Sequence, residues 1–381
     1  MKKKMLITCT VVLVTAAVIL GFVLKNQVRE NPDKNTVNVA IGQWDTTQNE
    51  SQNYWNPDNH AVAKGMGGYY FIQTTDGISK IAFFDETTQE AVAVCAKPEC
   101  THSDNTCNAY LCDMKQTGSA LYLTDTIYCY NGYLYLIQCE GGMGKLVRIH
   151  TDGSARETIA DLFANTGVSS ISLVFHENDV YAYDDTGHAG QEEEAEEVIK
   201  KISLTDGTEQ TVFSYTGTGA SIDRGRSFGD KLYFVIREYT KNKETKAVSS
   251  DYKGLFEYDF ATGDTRKVID ADVCDYHADT ENQMLFYFVQ GTGLYAYDMT
   301  QGSNTLIYPA EDELIQCKMS YDGKNLYLFN NGAGRATETK ARTQRYCYVL
   351  DTKGNQIAKI LCNGVATQTI CLKKTEIIWN I

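Results

Sequence analysis

The densest group of reactive side chains in this 381-residue chain lies in residues 95–112, which hold Cys95, Cys100, His102, Cys107 and Cys112. Thiolates and imidazole are the ligands that tetrahedral zinc prefers, and structural zinc sites often use three cysteines and one histidine. In an extended segment Cys100 and His102 point to the same side, because side chains alternate with a period of two. Cys95 and Cys107 can then complete a four-ligand set. The spacing Cys-x4-Cys-x-His-x4-Cys lacks tightly paired ligands, and the same thiols, with Cys112, form disulfides instead where the compartment is oxidising. Of the 12 cysteines only Cys9 lies in the apolar amino-terminal run, so an odd eleven remain beyond it. At least one of these is free, pairs between chains or binds metal.

Other matches to catalytic patterns are weaker. Gly225-Arg226-Ser227-Phe228-Gly229 fits Gly-x-Ser-x-Gly. That pattern works only as a strand-to-helix turn, and here it sits just before a strand with no helical period after it, so it reads as a blade turn. Ser250-Asp251-Tyr252-Lys253 fits Ser-x-x-Lys without its companion motifs. The acidic run 192–197 lacks the Gly turn of a calcium loop and reads as a solvated outer loop. Cys-x-x-Cys does not occur, which removes the usual thioredoxin-like and c-type haem signatures. Of the six histidines, His277 alone falls where an innermost strand would run, so it is the one catalytic candidate near a central channel.

The elements that must position these groups come from a repeat. A Gly, Asn or Asp turn followed by an apolar-aromatic pair recurs at Tyr69-Tyr70, Leu134-Tyr135, Val180-Tyr181, Leu232-Tyr233, Leu285-Phe286, Leu326-Tyr327 and Ile378-Trp379. Successive copies are 41 to 53 residues apart except the first two, which are 65 apart. The long interval contains residues 95–112, which therefore read as an insertion between the first and second blades. After six of the seven copies comes a second alternating strand closed by a polar turn such as Asp152-Gly153 or Asp206-Gly207. These are hairpin signals. Several short strands per 40 to 50 residues without a helical period predict an all-β fold, a β-propeller over residues 61–381. The count is seven blades, with six as the alternative. The seventh aromatic strand ends the chain, so its outer partner must come from the amino-terminal side, where 36–41 is strand-like.

The stretch Gly132-Tyr133-Leu134-Tyr135, followed by Gly144-Lys145-Leu146-Val147-Arg148-Ile149-His150-Thr151-Asp152-Gly153, resembles the repeat of low-density-lipoprotein-receptor-like (YWTD-type) propellers. The likeness covers residues 68–381. Tyr135 and Tyr233 match the family strand, but no Trp-Thr-Asp follows them. The insertion is similar to those of bacterial extracytoplasmic propellers that sit outside an amino-terminal anchor or lipid site. The resemblance implies ligand binding and names no ligand.

Location follows from the first residues. Lys2, Lys3 and Lys4 precede an apolar run of about 20 residues, long enough to span a bilayer. No small-x-small cleavage site follows, so residues 1–25 read as an uncleaved signal anchor with the lysines inside the cell. Residues 26–60 are a polar linker. The formal net charge of −14 disfavours nucleic acid. The expected role is a membrane-anchored extracytoplasmic binding or scaffold domain for an envelope protein, peptide or glycan, with a structural zinc in the insertion as its candidate cofactor. The alternative is an envelope enzyme with a site at the channel mouth, served by a metal or quinone.

Overall fold

The computed structural model describes residues 62–381 except 114–120, 123–126, 165–170, 185–192, 243, 246–247, 331–344, 363–369, 374–375 and 380–381. The expected anchor 1–25, the linker 26–60 and the strand 36–41 lie outside the described residues. No helix among the described residues is long and apolar enough to cross a membrane.

Each apolar-aromatic copy of the repeat falls in the second strand of a separate antiparallel sheet. The first sheet is Val62–Gly65, Gly68–Thr75 and Ile78–Asp85, with the short strands Ala91–Ala93 and Tyr110–Asp113 both paired with the last of these. Ile171–His176, Asp179–Asp184, Glu194–Ser203 and Glu209–Thr218 pair in chain order to form the third sheet. The fourth sheet is Ala220–Phe228, Lys231–Lys241, Val248–Asp259 and Thr265–Ile269. The fifth is Val273–Asp279, Met284–Val289, Gly293–Asp298 and Ser303–Pro309, and the sixth is Lys318–Tyr321, Asn325–Phe329, Arg345–Asp351 and Gln356–Cys362. The second sheet differs only in its first position, where Leu121–Tyr122 and Tyr128–Tyr130 both pair with Tyr133–Glu140 before Met143–His150 and Arg156–Ala164 follow. The last described pairing is a hairpin of Ile370–Lys373 and Glu376–Trp379.

Four-stranded meanders succeeding one another in chain order are propeller blades, and the core confirms how they stack. The first and second sheets share one apolar cluster that includes Tyr70, Ile81, Leu134 and Val147. The second and third share another around Phe175, whose ring lies 4.7 to 5.4 Å from those of Tyr128, Tyr130 and Tyr135. Three further clusters join the third sheet to the fourth, the fourth to the fifth and the fifth to the sixth. Burial is thus between sheets, as face-to-face blade packing requires.

The abundance of Tyr follows from that geometry. A tyrosine ring fills the gap between two blades, and its hydroxyl still reaches the neighbouring backbone. Tyr130 donates to the Glu177 carbonyl at 3.1 Å, Tyr276 to the Tyr233 carbonyl at 2.8 Å and Tyr70 to the Thr151 carbonyl at 3.3 Å. A second regularity closes the third strands of the first, fourth, fifth and sixth sheets. Asp85, Asp259, Asp298 and Asp351 each accept two backbone N–H groups of the following turn at 2.7 to 2.9 Å. At Asp259 the Lys231 ammonium, together with the turn amides, lowers the carboxyl to about 2.

Two expectations change. The acidic run is not a loop where it is described: Glu194 begins the strand Glu194–Ser203, which pairs with Glu209–Thr218. The ladder sends alternate glutamates to opposite faces, so Glu194 and Glu196 are exposed while Glu197 is buried. The Gly-x-Ser-x-Gly match ends the strand Ala220–Phe228 instead of forming a turn ahead of the next one. Ser227 is fully buried, and its hydroxyl donates to the Phe175 carbonyl at 3.0 Å.

Candidate metal centre

Residues 95–112 do not separate two blades. They interrupt the outermost strand of the first blade, which is split into Ala91–Ala93 and Tyr110–Asp113, both paired with Ile78–Asp85. Ile81 marks the break, for its carbonyl accepts the Val94 N–H at 3.0 Å and its own N–H donates to the Ala109 carbonyl at 2.9 Å. The ladder runs nearly unbroken along Ile78–Asp85 while the chain leaves and returns. The correction has a simple cause: the long interval in the repeat counts extra residues but does not say which strand they interrupt.

Within the excursion, Cys95, Cys100, His102 and Cys107 come together, each offering one ligand atom, with all four atoms within 4.8 Å of one another. The Nδ1 of His102 lies 3.3 Å from the Sγ of Cys107. Tetrahedral zinc with bonds of about 2.0 to 2.3 Å sets its ligand atoms about 3.5 to 3.8 Å apart, so small movements suffice to close the set. Three of the four residues are partly exposed and Cys107 is buried. Cys112 is no member of the group. It sits on the returning strand, buried, opposite Ser79.

The segment between Cys100 and His102 is not extended, as period-two alternation would have it. Glu99 and His102 have φ values of 59° and 56°, so the chain curls around Cys100 and carries His102 toward Cys107. The next turn is held by Asp104, whose Oδ1 accepts the Thr106 N–H at 2.9 Å and the Thr106 hydroxyl at 2.6 Å. The Cys107 N–H then donates to the Asp104 carbonyl at 3.1 Å. Lys97 closes the loop on the Thr106 carbonyl.

Burial alone would raise the Cys95 thiol, but the Lys97 and Asn108 backbone amides and the nearby Cys107 and Cys100 thiols outweigh it and hold its pKa low. Burial pushes Cys107 the other way, to about 11. Crowded thiols resist successive deprotonation, and a dication binding them as thiolates lifts that cost. The donor set therefore fits zinc in number, type and spacing.

The knuckle also reaches the second blade. Asn108 Nδ2 donates to the Gly153 carbonyl at 2.7 Å, and the Ala96 N–H donates to the same oxygen at 3.3 Å. Arg156 of the second blade donates to the carbonyls of Asn108 and Tyr110 and to Gln138 Oε1 at 3.0 Å. Gly153 has φ of 75°, and a Cβ there would meet the Cys95 nitrogen and the Val94 carbonyl carbon at 2.6 Å. Only glycine permits both the turn and the close approach.

The sequence candidates elsewhere are not brought to this site. His277 is fully buried on the first strand of the fifth blade, its ring 4.7 Å from that of Phe228 and 5.5 Å from that of Tyr321. Burial, with the nearby Arg226 charge, holds its pKa well below the usual 6.5. It packs as a core residue. Lys253 of the Ser-x-x-Lys match is paired with Asp251 at 2.6 Å and Glu238 at 2.8 Å.

A cluster that the sequence did not flag surrounds Asp275, next to His277. Asp275 is fully buried, its Oδ1 2.7 Å from Arg226 Nη2 and its Oδ2 3.3 Å from Arg224 Nη1. It also accepts the Tyr276 N–H at 2.8 Å and the Met319 N–H at 2.6 Å, joining the first strands of the fourth, fifth and sixth blades. No residue spacing signals it, because its members lie about 50 residues apart on separate strands.

No family model matches the chain, and no curated protein matches it. Among solved structures it is similar to an oligogalacturonate lyase in complex with manganese, at 12% identity over 80% of this chain and 76% of that one, with a TM-score of 0.48. It is similar to a chain of the mitotic checkpoint complex at 9% identity, covering 90% and 87%, with a TM-score of 0.47. Sqt1 of Saccharomyces cerevisiae follows at 10% identity, covering 83% and 88%, with a TM-score of 0.43. Such distances carry no argument about activity.

Proposed function

We propose that this chain is a membrane-anchored extracytoplasmic β-propeller that acts as a binding or scaffold domain for an envelope protein, peptide or glycan. In this reading Cys95, Cys100, His102 and Cys107 hold a structural zinc that fastens the first blade to the second. The observation that carries the metal assignment is the convergence of four ligand atoms within 4.8 Å. The sequence supports the anchor, through Lys2 to Lys4 ahead of an apolar run of bilayer-spanning length. The propeller is proposed to have seven blades, with six as the alternative. The binding role is favoured over the channel-mouth enzyme because all seven residues of Val273–Asp279, where the catalytic candidate lay, are buried.

Two measurements test this. Alkaline phosphatase fused after residue 381 is active only if the carboxyl end lies outside the cytoplasm, and an inactive, stably expressed fusion would remove the location. The solubilised chain on beads is expected to retain a discrete envelope protein or glycan. Retention of nothing, together with turnover of a small substrate, would overturn the binding role.

A further inference from the structure

Two buried thiols meet where the fifth and sixth blades join. In the first strand of the fifth blade the register passes from Val273↔Val289 to Asp275↔Phe288, so Cys274 occupies a bulge without a partner in the ladder. A bulge re-aims the side chain it carries. The Cys274 Sγ lies 3.9 Å from the carbonyl oxygen of Cys317, the residue just before Lys318–Tyr321. Both residues are 2% exposed and belong to one apolar cluster. Beside them Asp275 accepts the Met319 N–H at 2.6 Å, which fixes the separation of the two strands at this point.

We propose that Cys274 and Cys317 form a disulfide under oxidising conditions, stapling the first strands of the fifth and sixth blades. The site is independent of the zinc knuckle, and its use in the cell rests on the extracytoplasmic reading. The chemistry is exchange with a small or enzymatic disulfide oxidant. Cys274 thiolate attacks the oxidant's S–S bond, releasing one oxidant thiol and leaving a mixed disulfide. Cys317, losing its proton, then attacks the Cys274 sulfur and expels the second oxidant thiol. Two protein thiols become one S–S bond, and the oxidant gains the two electrons and two protons. Because both thiols are dehydrated in the folded chain, the exchange belongs to folding, before the sixth blade docks.

The test refolds the full-length chain from denaturant in detergent with a mixture of oxidised and reduced glutathione, traps free thiols by alkylation and maps peptides without reduction. The expected result is a linked Cys274–Cys317 peptide pair as the main cross-link, and a thermal midpoint about 5 °C above that of the C274S/C317S variant treated alike. Recovery of both cysteines alkylated, in protein that has refolded to its native circular dichroism, would overturn the proposal. A parallel sample trapped directly in cells separates the two readings. A pair that is linked after refolding but alkylated in cells supports the disulfide site and contradicts the location.

Discussion

The knuckle on the first blade and the Asp275 cluster on the inner strands both gather polar, chargeable groups, yet they are built in opposite ways. The knuckle is a detour in an edge strand, with mostly half-exposed ligands and two backbone positions at positive φ. The Asp275 cluster lies within continuous strands, with Asp275 and Arg226 buried, Asp275 held by two backbone amides and Arg226 donating to the Tyr276 carbonyl. The comparison teaches that polar order here has two sources. In the core, apolar packing forces charges to pair, whereas at the edge little apolar surface does the holding, and the proposed zinc would take over that role.

The largest effect is expected in the core. Replacing Asp275 with Ala leaves the buried Arg226 guanidinium without its carboxylate and removes one partner of the partly exposed Arg224, a loss of about 3 to 5 kcal/mol. Urea unfolding followed by circular dichroism measures it, and a loss below about 1 kcal/mol would break the contrast between core and edge. Gly153→Ala comes next. The added Cβ collides with the backbone at Val94 and Cys95 in a strained turn, costing about 2 kcal/mol. Hydrogen exchange should then quicken at residues 95–108 while Val273–Asp279 stays protected. Uniform quickening would mean that the knuckle is not a separate unit.

The smallest effect is a pH dependence. His277 is held neutral in the folded state, its pKa well below 6.5, and exposure on unfolding restores the ordinary value. Below about pH 6.5 the unfolded chain therefore binds a proton that the folded chain refuses, and stability falls by up to about 1.4 kcal/mol per pH unit as pH drops. Above that pH His277 contributes no slope. A His277→Phe variant should lose this component in urea titrations between pH 5 and 7. An unchanged slope would place His277 in contact with water.

Much of the fold was legible because blade strands are local. The pair at Val180-Tyr181 and the turn at Asp206-Gly207 announce a second and a third strand within about 30 residues, and the structure has both. The knuckle ligands were legible for the same reason, since all four lie within 13 residues. What spacing could not show is how a segment joins a sheet. That the excursion splits one strand depends on Ile81 pairing to both sides, and that His102 turns back depends on left-handed residues. Asp275, Arg224 and Arg226 stayed hidden because their association exists only once the fourth and fifth blades pack. Glu197 misled for a related reason: a run of like charges looks solvated until a partner strand sorts its residues to two faces.

The central claim, that edge order comes from a bound ion, is tested most directly by native mass spectrometry of the full-length chain released from detergent, with and without a zinc chelator. The account predicts one zinc per chain, lost on chelation together with hydrogen-exchange protection at residues 95–108, and lost equally in a Cys107→Ser variant. A chain carrying no zinc, with a two-dalton deficit mapping to a disulfide among Cys95, Cys100 and Cys107, would contradict it.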